Sequence, residues 1–332
     1  MRTRTLIAGC ALDFLAGDPL WLPHPVRVIG AAIGAGEKLT RKFTSSASPR
    51  SELLAGAALS LAVIFGSYKG ANFLLKVTRK FDLTSGDAVE IILAWTTIAA
   101  RNLLDETGSV LDALENGEIE IARRRLARIV GRDTVNLDES EIARATIETA
   151  AESLCDGIVA PLFYLALGGV PLAFAYKAAN TLDSMIGHRE APYTHFGRFA
   201  ARVDDAANFV PARLSALFII ASAKLLKADA KSALRVWRRD ARLHSSPNAG
   251  QTEAAMAGAL NTKLGGLNFY DGQPHQSAEF GAEYEPPIKS DVSRARQIVL
   301  TASILAGAAA AAFCWFGNRK SQRLRLEAIS KI

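Results

Sequence analysis

Cysteine is scarce in this chain. Three occur among 332 residues, Cys10, Cys155 and Cys314, far apart and with no CxxC pair. That spacing excludes a disulfide framework and a cysteine-based zinc site. Charge is also thin, at 22% against 49% hydrophobic residues, with a mean hydropathy of +0.13. The chain is apolar for a soluble protein, yet too polar to consist of membrane spans alone. Several membrane helices joined by sizeable polar loops fit best. No internal repeat or low-complexity tract is present, and no alternation of apolar and polar residues persists, so the predicted fold is mostly helical. The net charge is +6, but the basic residues are not interleaved with aromatics in any nucleic-acid module, which argues against a nucleic-acid partner. The N-terminal MRTRTLIAGC has only about five apolar residues before Cys10, short of a secretory core of about 7–15. The helical pattern runs on through ALDFLAG. An uncleaved first helix is the reading, with a lipoprotein as the alternative.

Apolar spans fall near 5–16, 53–75, 88–104, 157–176, 209–226 and 297–318 of a single 1–332 domain. Some are short for a crossing, which takes about 20 residues, so the expectation is a polytopic membrane protein with four to five transmembrane helices. The stretch 157–176 holds Pro161, Gly168, Gly169 and Pro171, which predicts two half-helices around a Gly-Gly-Val-Pro turn. A polar helical loop covers 105–156, with Asp138 as N-cap and Glu141 closing a capping box. The region 240–290 reads as loops with one short helix, TEAAMAGAL. The tail NRKSQRLRLEAISKI and the stretch KLLKADAKSALRVWRRDAR are basic, which favours a cytoplasmic side for them.

Polar side chains inside the apolar third carry most of the functional signal. Lys177, Asn180 and Asp183 stand in AYKAANTLDSMIG, and Asp204 and Asp205 in ARVDDAANFVPARL. Such charges cost several kcal/mol unless paired, metal-bound or facing water. Lys177 suits a phosphate, and the Asp and Asn residues suit a metal or hydroxyl; an internal Lys–Asp pair is the alternative. Glu148, Glu152 and Asp156 recur at i, i+4, i+8, which places three carboxylates on one helix face. They read as Mg²⁺ ligands or as a solvated acidic face. Asp18, His24 and Arg27 sit in a Pro-rich loop, with Pro23 and Pro25 flanking His24; it presents an anion site or is an ordinary membrane-surface turn. Arg202 and Arg213 bracket the Asp204–Asp205 pair. Arg239, Arg242 and His244 precede Ser-Ser-Pro-Asn-Ala-Gly, a turn that opens a helix. A helix N-terminus favours anions, or the turn simply caps a surface helix, with Glu253 complementing its dipole. Together these residues point to a membrane enzyme handling anionic, phosphorylated substrates with Mg²⁺.

Four blocks carry a family resemblance: LDFLAGDPLWLPHPVRVIG, AAESLCDGIVAPLFYLALGGVPLAFAYKAANTLDSMIG, FGRFAARVDDAANFVPARLSAL and RDARLHSSPNAGQTEAAMAGAL. In this order they resemble the CobD/CbiB family of cobalamin-biosynthesis membrane proteins, also called adenosylcobinamide-phosphate synthases, from about Asp13 to Tyr270. The resemblance implies a multi-pass protein of the inner cell membrane, working beside other cobalamin-synthesis enzymes. It implies amide formation between the propionate of adenosylcobyric acid and aminopropanol phosphate, with ATP as cosubstrate and Mg²⁺. On this reading Lys177, Asp183, Asp205 and His24 are catalytic. Arg27, Asn180, Arg213, Arg242, Ser246 and Asn248 bind anionic groups, and Glu148, Glu152, Asp156 and Asp204 hold the metal. Two positions depart from the family's pattern: Gln251-Thr252 stands where Trp-Pro is usual, and Ser153-Leu154-Cys155-Asp156-Gly157 where Asn-x-Ser-Asp-Gly is. Competing readings are a Mg²⁺-dependent phosphotransferase or prenyltransferase in the membrane, motivated by Asp204-Asp205, and a non-enzymatic corrinoid transporter or assembly subunit.

Overall fold

A computed structural model describes residues 1–19, 24–44, 48–188 and 190–329. Pro23 and the last three residues of the basic tail lie outside the described residues. The chain is mostly α, with a two-stranded antiparallel sheet. It divides into two compact units. One comprises Met1–Ala99, Ala160–Ala207 and Gly307–Ile332; the other comprises Ala100–Val159 and Asn208–Ala306.

Among the described residues four helical stretches are long and apolar enough to cross a membrane: Pro49–Phe81, Glu139–Ile186, Arg198–Leu225 and Lys289–Arg319. This is a polytopic membrane architecture. Two expected spans do not qualify. The first, near 5–16, is α1 (Thr3–Ala16), whose 14 residues reach about 21 Å against a hydrocarbon core of about 30 Å. The second, near 88–104, is divided. Helix α4 (Leu83–Trp95) stops, and α5 (Ala100–Glu115) starts after a turn. Thr96 and Thr97 spend their hydroxyls on the carbonyls of Leu93 and Ala94, local bonds that compete with helix continuation.

In the first unit α3 (Pro49–Phe81) packs on α4 and on α8 (Ala160–Ile186), with α2 (Pro25–Thr44) alongside. Gly56 of α3 lies against the Phe196 carbonyl, where an added Cβ would collide with the backbone. Only a glycine permits that approach of α3 to the turn between α8 and the following helix. The expected break in the 157–176 stretch is present. Gly169 has φ 69 and ψ −165, and Pro171 follows.

The second unit has its own core. Val110, Ala113 and Leu114 of α5, Ala122 and Leu126 of α6 (Ile119–Leu126), Leu137, and Ile142 and Ala145 of α7 (Glu139–Leu154) are buried together. The expected capping box opens α7. Asp138 Oδ1 accepts from Glu141 N at 2.8 Å, and Glu141 Oε2 accepts from Asp138 N at 2.9 Å. Asp138→Ala is therefore expected to cost about 1 kcal/mol, read as a lowered thermal midpoint. A π-helical turn, Cys155–Val159, follows α7.

The 240–290 stretch contains more than loops. Beyond α11 (Ala249–Leu260), β1 (Leu264–Tyr270) pairs with β2 (Gln273–Phe280) in a hairpin. Tyr270 faces Gln273 across a two-residue Asp271-Gly272 turn with φ 49 and 75, the left-handed pair that suits strand twist. Asp133 anchors the hairpin's tip: its N–H donates to the Phe269 carbonyl at 2.8 Å, and its carboxylate accepts from Gly272 N at 2.7 Å.

Candidate functional site

In the first unit, the second segment of α8 carries Lys177, Asn180 and Asp183 at intervals of three residues. All three are half-buried. Helix α9 (Arg198–Leu225) brings Asp204, which is 8% exposed, and the half-buried Asp205. Asn180 Nδ2 donates to Asp204 Oδ1 at 3.4 Å, joining the two apolar blocks. Two expected residues, 24 positions apart in sequence, thus meet at a polar point between two membrane helices. The loop before α2 and the first turn of α2 supply the N-terminal candidates. His24 Nε2 lies 3.5 Å from Asp18 Oδ1, and His24 Nδ1 accepts from Val26 N at 3.3 Å. Arg27 is exposed in the first turn of α2. One turn further on, Gly30 packs near Met185, two residues beyond Asp183.

In the second unit, Glu148 is 4% exposed and surrounded by donors. Arg132 Nη1 stands 2.7 Å from its Oε2, Arg144 Nη1 is 3.5 Å from Oε1, and Gly265 N donates to Oε1 at 2.7 Å. Arg144 also donates to the carbonyls of Gly265 and Leu267, and Arg132 to Asn268 Oδ1. Glu148 therefore ties α7 to β1 through buried ion pairs. A carboxylate so engaged is poorly available to a cation. Glu152 is exposed, and Asp156 lies half-buried in the π turn, whose wider pairing does not continue a regular α-helical face. Among the described residues no group of three or more His, Cys, Asp or Glu is arranged to hold a metal ion. Within the second unit, Glu148, Glu152 and Asp156 therefore do not form a three-carboxylate cation site. The physical reason is that the i, i+4, i+8 stripe is interrupted, and its first member is neutralised by arginine.

Glu253 is the residue that sequence reasoning undervalued. It is buried in α11, where all twelve residues are buried. Burial pushes its carboxyl well above the ordinary 4.5, and the negative charges of Glu148 and Glu152 add to the rise. Burial works against the Arg132 charge, but the adjacent Glu148 raises that guanidinium's pKa above its ordinary range. The signal was present in sequence: Glu253 directly precedes the uninterrupted apolar run AAMAGAL.

The turn before α11 is built as expected, in part. His244 Nδ1 accepts from Ser246 N at 2.9 Å, and Ser246 Oγ accepts from the N–H groups of Asn248 and Ala249 at 3.3 Å. Asn248 occupies the N-cap position without a side-chain capping bond. Ser246 thus already uses its oxygen on helix N–H groups. Arg242 is exposed; the Arg213 guanidinium lies 3.6 Å over the Phe209 ring and donates to the Phe209 carbonyl at 2.6 Å. Arg239 instead pairs with Asp240 and Glu283. Gln251, where Trp-Pro is usual, accepts from Trp237 Nε1 at 2.9 Å and donates to the Pro247 carbonyl at 3.2 Å. It locks the turn onto α10 (Ala230–Asp240). Cys155 Sγ donates to Asn208 Oδ1 at 3.8 Å, a buried contact between the π turn and α9.

Comparison with known proteins places these features. Residues 6–299 match the model of the family described as CobD/Cbib protein. The chain is 43% identical over 283 residues to the cobalamin biosynthesis protein CobD of Geobacter metallireducens, covering 85% of this chain and 87% of that one. It is 40% identical over 300 residues to that of Clostridium perfringens, covering 90% and 94%. With that of Klebsiella pneumoniae it is 41% identical over 305 residues, covering 91% and 95%. No solved structure matches it. All four resembling sequence blocks fall inside the matched region, and the chain belongs to the CobD/CbiB family.

Proposed function

We propose that this protein is a membrane enzyme of cobalamin biosynthesis that joins the propionate carboxylate of adenosylcobyric acid to aminopropanol phosphate, giving adenosylcobinamide phosphate at the expense of ATP. The relatives are named for cobalamin biosynthesis. The observation that supports an enzyme is the Asn180–Asp204 contact, which gathers polar side chains of α8 and α9 inside apolar surroundings. Carboxylates there suit phosphoryl chemistry, and Lys177 suits the substrate's anionic groups. ATP converts the carboxylate to an acyl phosphate, and the amine displaces phosphate. A nearby carboxylate or His24 takes the amine proton.

Mg²⁺ fits this site in one manner only. A Mg²⁺ ion commonly keeps one or two protein carboxylates and completes its shell with phosphates and water. Asp204, with Asp205 next to it, would hold it in that way. The ion would neutralise charge on the transferring phosphoryl group. The inner cell membrane is the proposed location, and the bilayer and the corrinoid are the proposed partners.

The test is reconstitution of the purified protein in liposomes with adenosylcobyric acid, aminopropanol phosphate, ATP and Mg²⁺, followed by mass spectrometry. An amide product that needs both ATP and Mg²⁺ is expected. Corrinoid binding without product would overturn the synthase reading in favour of transport or scaffolding.

A further inference from the structure

The break in α8 opens a cavity in the first unit, independent of the reaction proposed above. Its volume is about 530 Å³, and its lining includes Arg2, Asn72, Lys76, Arg79, Glu90 and Gly169. The charge around it does not balance. Arg2 and Arg4 share Asp87, at 2.7 and 2.5 Å, and Arg79 meets Glu90 at 3.1 Å. Among the described residues Lys76 has no carboxylate partner. Of the side chains that line the cavity, Arg2, Lys76 and Arg79 are cationic and Glu90 is anionic. Glu90 is 3% exposed, and the Arg79 side chain that meets it remains 45% exposed, so this cation faces both the carboxylate and the open side of the cavity.

Two features aim this charge at a ligand. Asn72 and Lys76 are one helical turn apart on α3, so they share a face. At the break, Gly169 leaves the helical conformation and Pro171 starts the next segment. The first N–H groups of a helical segment lack intrahelical partners and carry the positive end of its dipole. The cavity also lies toward the basic end of a membrane-spanning helix. Phe73 and Leu74 stand between Asn72 and Lys76 with 69% and 42% exposure, so an apolar lateral surface borders the charges. Basic pockets between membrane helices are suited to anionic head groups.

We propose that this cavity binds a phosphate group, with Lys76 and Asn72 as donors and Arg79, oriented by Glu90, as a positioning charge. The phosphate comes either from an anionic phospholipid or from a soluble phosphate. The full-length protein, purified in an uncharged detergent, is analysed by native mass spectrometry with phosphatidylglycerol against phosphatidylcholine, and by equilibrium dialysis with inorganic phosphate. Lys76→Glu is the main variant. Asn72→Asp is the second, since neither residue belongs to an ion pair that supports the fold. Loss of a charge-assisted contact is expected to weaken binding about tenfold. A loss confined to phosphatidylglycerol supports the lipid source; a loss confined to inorganic phosphate supports the soluble one. Binding of neither probe by the parent protein, or equal binding by the parent and both variants, overturns the proposal.

Discussion

Replacing Glu148 by glutamine is expected to destabilise the protein by about 3–5 kcal/mol, because it strips a buried ion-pair network of its central charge. Arg132 and Arg144 have side chains only 12% and 10% exposed. Without Glu148 their guanidiniums stay buried and lack their nearest anion. Glutamine keeps an acceptor for Gly265 N, so the loss reports charge rather than shape. Glu253→Gln is the paired control, with the opposite expectation. Its carboxyl pKa is raised by burial and by the charges of Glu148 and Glu152. A folded-state pKa above the ordinary 4.5 means that the native state holds the proton more tightly than the unfolded chain does. Stability from this group is full below the unfolded value and falls as pH rises toward the folded one. Glutamine removes that cost, so at neutral pH Glu253→Gln should unfold at the same temperature as the parent or higher. Thermal unfolding in detergent, followed by circular dichroism, checks both variants. An unchanged midpoint for Glu148→Gln, together with a weakened Mg²⁺ requirement, would restore Glu148 to the role of metal ligand.

The helical architecture was legible because its signals are local. The Asp138–Glu141 capping box and the Gly169–Pro171 break are each written within a few residues. The hairpin was missed and its stretch read as loops, because its strands lack a sustained alternation: β1 buries Leu264, Gly265 and Gly266 in succession, so the two-residue period is lost. The candidate site divides in the same way. Asn180 and Asp204 were recognisable as costly polar residues, yet their contact spans two helices. The arginine pairing of Glu148 could not be read from the sequence because its partners are remote: Gly265 is 117 residues away, and Arg132 stands in a separate loop. A carboxylate stripe on one helix cannot reveal whether arginine or a cation meets it. The π turn, which interrupts that stripe at Cys155, has no strong local signature in Ser153-Leu154-Cys155-Asp156-Gly157.

Asp204→Asn is expected to lower the proposed amide formation by about 10²- to 10³-fold, the range for removing one group that stabilises transition-state charge. The substitution is nearly isosteric, and it leaves Asn180 a partner that can still accept its N–H, so the α8–α9 contact survives. A purely structural Asp204 would then show little change in turnover. Two readouts separate the roles. If Asp204 holds Mg²⁺, the ion concentration that gives half-maximal rate should rise in the variant, while corrinoid affinity stays at the parent level. Asn180→Ala should act on the same step, because Asn180 Nδ2 orients Asp204 Oδ1. The double variant should therefore lose less than the product of the two single losses, as residues in one contact are not additive. Multiplicative losses, or an unchanged Mg²⁺ dependence in Asp204→Asn, would move the metal away from this pair. Asp205→Asn and Asp183→Asn, assayed the same way, would then show whether the neighbouring carboxylates carry it.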